Sequence, residues 1–166
     1  PVLKGLTAAK VTALRIQAPD GTLSIAQKNG RWTIAERNDF PADLDKLRAF
    51  VLKALELKVG QSEPIGEKDR ARMALNESGE GAGTVVTFSA ADGKALARLI
   101  VGRKYFKQPP ENPKTATADG RFVMRPEDPT TVVVVSDPLD QATPQTPGWI
   151  DPRGLAAEAV RTLEAQ

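Results

Sequence analysis

VTALRIQAPDGTLSIAQKNGRWTIAE, residues 11–36, is the stretch that decides the fold. It alternates: Val11, Ala13 and Arg15 share one face, and Thr12, Leu14 and Ile16 the other. Asp20-Gly21 stands between the first two strand-like runs and Asn29-Gly30 between the next two. Both dipeptides accept positive φ, which tight hairpins need. The pattern predicts a three-stranded antiparallel meander over residues 11–18, 22–28 and 31–35. Leu23 and Ile25 point one way along the second strand, as do Trp32 and Ile34 along the third.

Beyond the meander the period changes. Phe40-Pro41-Ala42-Asp43 opens a helix, because Pro suits a first turn and Asp complements the N-terminal dipole. Leu44, Leu47, Val51 and Leu55 follow at helical spacing, widened by Phe50, Ala54 and Leu57. Asp43, Lys46, Arg48 and Lys53 fall on the wet side. This predicts a long helix over about residues 43–58, ending before Gly60. A short helix is expected over 67–75, and ESGEGAG, residues 77–83, reads as a flexible loop.

TVVTFSAADGKALARLIVG, residues 84–102, predicts a second hairpin, turned at Asp92-Gly93. Its turn dipeptide matches the place of Asp20-Gly21 in the first hairpin, which convergence on a good turn explains better than internal duplication. FKQPPENPKTATADG, residues 106–120, is a long Pro-rich loop. Strands are expected over 121–125 and 130–136, the valine run of the latter suggesting a strand covered on both faces. A second Pro-rich stretch follows over 137–154.

Composition limits the chemistry. The 166 residues fit one domain with a real core, and the net charge of +2 is too small to announce a polyanion partner. There is no Cys and no His, so disulfides, thiolate or imidazole metal sites, cysteine nucleophiles and a Ser-His-Asp triad are all excluded. No cofactor motif is present. No apolar run approaches the roughly 20 residues that span a bilayer. The chain opens Pro-Val-Leu-Lys, without Met or signal peptide, so a processed or cut start is expected.

Four constellations can be weighed against plainer structural roles. Asp43, Asp45, Asp137, Asp140 and Asp151 could supply a carboxylate pair, but nothing in the sequence brings two of them together, and caps, turns and solvated surface account for them better. GEGAG, residues 79–83, precedes a strand where a phosphate cradle would follow one. Arg98, Arg103, Lys104, Lys107, Lys114, Arg121 and Arg125 interleave with Tyr105, Phe106 and Phe122 as on a single-strand-binding surface. Glu111, Asp119, Glu127 and Asp128 interrupt that series, so a nucleic-acid partner is not expected. Arg103, Tyr105, Phe106 and Trp149 form the candidate interaction surface, the alternative for Trp149 being a pin that holds its loop to the core.

The ordered series of motifs resembles a bacterial family, domain of unknown function family 4340. It runs V-x-x-L-x-I, a DG turn, NGRWTI, FPAD with the Leu-rich helix, RARMAL, TVVTF, DGKALARLIVG, RFVMRP, the valine strand and WIDPRGL. Met73-Ala74-Leu75 replaces the family's Tyr-Gly-Leu. The resemblance implies an N-terminal membrane anchor, extracytoplasmic copies of this unit, and association with ABC-transporter components of the gliding-motility type. It carries over no catalytic residue.

The fold expected is α+β: an antiparallel meander and hairpins, with the long helix packed across one sheet face and short helices added. Residues 1–153 form the domain. GLAAEAVRTLEAQ, residues 154–166, parallels GLTAAKVTALRIQ, residues 5–17, and is expected to open a second repeat, helical when severed from its partner strands. The function expected is a non-catalytic accessory module on the extracytoplasmic side of the cell envelope, partnered by a membrane transporter or another envelope protein. The alternatives are a small-ligand or glycan-binding domain and, third, a carboxylate hydrolase.

Overall fold

The structure is a computed structural model describing residues 10–112 and 114–150. The expected opening of a second repeat, residues 154–166, lies outside the described residues.

The meander forms as β1 (Ala13–Ala18), β2 (Gly21–Lys28) and β3 (Arg31–Ile34). Leu14, Ile16, Leu23, Ile25 and Ile34 turn to one side and are buried, while Arg15, Gln17 and Lys28 are exposed. Asn29 and Gly30 hold φ of 55° and 79°, so the β2–β3 corner is the left-handed two-residue turn the dipeptide favours. The β1–β2 corner differs from expectation. Ala18 pairs with Gly21, so Pro19-Asp20 makes the turn and Gly21 begins the strand. Proline's fixed φ suits the second position of a type I turn, with Gly at the fourth.

After a two-residue strand β4 (Phe40–Pro41), helix α1 runs Leu44–Glu56. The Asp43 carboxylate caps it, accepting from the backbone N–H groups of Asp45 and Lys46 at 3.0 and 3.2 Å. Asp43→Ala is expected to lower unfolding free energy by about 1 kcal/mol, and Asp43→Asn by much less. Thermal unfolding of both variants checks this. An equal loss from Asn would show that charge, not the cap, matters.

The remaining elements are β5 (Val59–Pro64), α2 (Glu67–Arg72), β6 (Thr84–Ser89), β7 (Ala95–Tyr105), β8 (Gly120–Met124) and β9 (Thr131–Val135). All nine strands join one antiparallel sheet in the order β4-β3-β2-β1-β6-β7-β8-β9-β5. This overturns the expected α+β class. The meander and the second hairpin are not separate units under a helical layer: β1 pairs with β6 from Ala13–Ser89 to Gln17–Val85 and fuses them. α1, with 13 residues, is the only helix among the described residues longer than six, so the fold is predominantly β.

Two hydrophobic clusters flank the sheet. Neighbouring residues of one strand enter opposite clusters: Val86 and Val85, Leu99 and Ile100, Val123 and Met124. The larger cluster takes the meander's apolar face together with Leu47, Phe50, Val51 and Ala54 of α1, and with Leu139, Ala142, Trp149 and Ile150 of the last loop. The smaller takes Leu75, with Met73 and Ile65 beside it. The valine strand β9 feeds both, Val135 one and Val132 the other, although it lies next to the sheet edge.

The edge is β5, a strand the sequence pattern does not announce. All six of its residues are exposed, and a register shift falls at Gly60. With a bulge, Glu63 and Pro64 it carries the features that keep an edge strand from pairing with another chain.

The second hairpin also turns in its own way. The Ala90 carbonyl accepts from the Gly93 N–H at 2.9 Å and Gly93 has φ of 82°, a three-residue turn closed by a left-handed residue. Matching Asp-Gly dipeptides thus serve two different corners. The segment 77–83 is not a flexible connection. Gly83 donates to the Asn76 carbonyl at 2.9 Å, Asn76 donates to that of Gly81 at 3.1 Å, and the Asn76 side chain donates to that of Glu80 at 2.9 Å.

Candidate functional site

The candidate interaction residues do not form one surface. Arg103 is exposed at the end of β7, where a register shift between Val101 and Lys104 bends the strand, and its N–H donates to the Met73 carbonyl at 3.0 Å. Tyr105 and Phe106 are half-buried, and Tyr105 stands edge-on to Phe122 with ring centroids 5.6 Å apart. Trp149 is 0 % exposed. Its ring meets Phe50 of α1 edge-on at 5.4 Å, and its Nε1 donates to the Thr143 carbonyl at 2.9 Å. It is the pin of the last loop and no surface anchor.

The basic series is also dispersed. Arg98 pairs with Glu77 at 2.9 Å and Arg125 with Glu127 at 3.9 Å. Arg121 turns inward: its Nε donates to the Gly102 carbonyl at 2.7 Å and its Nη1 to that of Pro138 at 3.3 Å. Burial lowers its pKa from the ordinary value, and the Asp140 charge works against that shift. These contacts tie the bulge of β7 to the loop after β9, which is a structural task.

Two of the candidate carboxylates are engaged likewise. Asp43 caps α1, and Asp137 accepts from the Leu139 N–H at 2.8 Å while pairing with Lys53 at 3.6 Å. Asp151 lies outside the described residues. The two Pro-rich loops differ. Asp119 ties down the first, donating its N–H to the Tyr105 carbonyl at 2.9 Å and accepting from the Lys107 N–H at 2.8 Å. The second is sewn into the core by Leu139, Ala142 and Trp149.

A groove of about 370 Å³ with a mostly apolar lining lies beside α1. Buried Leu47 and Val51 make its floor, and Val11 and Trp32 its far wall. Leu44, Arg48 and Leu52 form its near rim. Leu44 is 39 % and Leu52 52 % exposed, so two leucines stand out on a helix that otherwise buries its large apolar side chains. The sequence reading placed Leu44 in the core stripe and passed over Leu52. The signal was present: Leu52 lies one residue off the stripe, one turn from Arg48 and from Glu56, which face water.

Among the described residues no helix is long and apolar enough to cross a membrane. Comparison with curated proteins and with solved structures finds no match. A protein-family model does match, over residues 32–164, from the tryptophan in the groove wall through α1 and the rest of the sheet. That span covers well over half of the chain, which therefore belongs to the family described as a domain of unknown function, DUF4340.

Proposed function

We propose that this chain is a non-catalytic interaction module on the extracytoplasmic side of the cell envelope, serving as an accessory of an ABC-type membrane transport system. The observation that carries the binding role is the groove beside α1, with Leu44 and Leu52 exposed at its rim. A concave, mostly apolar groove with large apolar side chains exposed at its rim is the kind of surface that takes a partner's side chains. The structural employment of Asp43 and Asp137, as cap, turn and ion-pair partner, supports a non-catalytic reading. The envelope setting and the transport role are what the resemblance to this family implies; the family model itself describes a domain of unknown function.

The test is purification of the tagged protein, together with whatever membrane segment it carries, from detergent-solubilised membranes of its own cell. Subunits of one transport complex are expected to co-purify in fixed proportion. Recovery of the protein alone at low detergent, or in the soluble fraction of the cytoplasm, would overturn the proposal.

A further inference from the structure

We infer that the groove beside α1 receives an acidic amphipathic helix of a partner protein, with Arg48 as the specificity-determining cation. The inference rests on the interaction-module reading and names the partner's chemistry. Leu44, Arg48 and Leu52 stand at positions i, i+4 and i+8 of α1, so they make one ridge along the helix surface. Such a ridge fits between the side-chain rows of a second helix crossing at about 50°. Trp32 and Val11 close the far side.

The occupant is a helix and not an extended strand for a hydrogen-bonding reason. Seven side chains line the groove, five of them from α1, whose interior backbone is bonded within the helix. An extended segment laid along α1 would find no free backbone partner on the helix, and its own N–H and C=O groups facing the helix would lose water without replacement. A helix brings its backbone already bonded.

The occupant is acidic because of Arg48. This guanidinium sits between the two exposed leucines and makes no ion pair among the described residues. A purely apolar helix seated on both leucines would strip water from it and leave it unpaired. An Asp or Glu with large apolar residues four positions before and after it matches the ridge, and can take the guanidinium in two parallel hydrogen bonds.

A benzophenone photo-crosslinker at Leu52, in the full protein in its own cells, tests the inference when the cross-linked peptides are sequenced. The expected adduct is a helical segment of another protein with that apolar–acidic–apolar spacing. Arg48→Glu is expected to cut its yield about tenfold or more, and reversal of the acidic residue in the partner to restore it. Arg48 is exposed, so an unchanged unfolding midpoint will separate loss of binding from loss of fold. Adducts with lipid, with a second copy of this chain, with its own residues or with a basic or extended segment would overturn the inference. So would a yield indifferent to Arg48→Glu. The same crosslinker at Tyr105 distinguishes the two levels. Protein adducts there with none at Leu52 refute the groove and leave the interaction module standing, whereas silence at both positions counts against both.

Discussion

Trp149→Ala is expected to cost about 3–5 kcal/mol of unfolding free energy, the range for emptying the site of a large buried aromatic. The residue is 0 % exposed and lies where three parts of the chain meet. Its indole faces Phe50 of α1 edge-on, and Phe50 in turn lies 6.1 Å from Phe88 of β6. Its Nε1 bonds to the Thr143 carbonyl within its own loop, and its own carbonyl accepts from the Asp43 N–H at 2.8 Å. Alanine keeps the backbone bond and removes the rest. Trp149→Phe fills most of the volume but leaves the Thr143 carbonyl without its donor, so a loss of about 1–3 kcal/mol is expected. Urea titration followed by far-UV circular dichroism reads both. A loss below about 1 kcal/mol for Ala would mean that the loop does not depend on the indole.

The second large effect is expected at Gly83. A Cβ there would meet the Ala74 carbonyl oxygen, would lie 2.8 Å from the Val101 carbonyl oxygen, and would lie 3.1 Å from Cγ2 of Ile100. Two of these three neighbours are backbone, one of them in β7, and cannot rotate away. Gly83→Ala should therefore displace the crossing of residues 74–83 over the sheet and cost about 3 kcal/mol, at the upper end of overpacking penalties. Gly79 provides the control. It has φ of 73° but nothing within 4 Å of a built Cβ, so alanine there costs only the left-handed backbone, about 1 kcal/mol. Equal losses at the two positions would show that the close approach at Gly83 is accommodated.

Local order was legible wherever one face of an element is wet and the other dry. Leu14, Ile16, Leu23 and Ile25 alternate with polar neighbours, and Asn29-Gly30 adopts the turn its chemistry favours. α1 shows most of its core stripe in the sequence, but Pro41, read there as part of a first turn, lies in β4, and Asp43, read as a first-turn acid, is the cap. Fold class was not legible, because it depends on the β1–β6 pairing, whose partners lie far apart in the chain and leave no short-range pattern. β5 escaped for the opposite reason. Val59 to Pro64 buries nothing, so it has no period to read and is a strand only because β9 offers it a hydrogen-bonding edge. The candidate site shared both difficulties. Trp149 is equally suited by chemistry to a surface or a core, and only the Phe50 ring decides between them. The groove needs Trp32 and α1 side by side, which sequence spacing alone does not bring about.

The seam between α1 and the last loop also bears on how the chain is made. Ala42 bridges Ile150, and Gln141 Nε2 donates at 3.3 Å to the carbonyl of Lys46, 95 residues earlier. A ribosome adds about 5–20 residues per second, so α1 emerges several seconds before the groups that cover its inner face. Through that interval Phe50 has no Trp149 to pack against, and the apolar stripe of the nascent helix is only partly covered. If the protein is moved across a membrane, that delay is an asset: a chain that cannot close its core until nearly all of it exists remains threadable until it arrives.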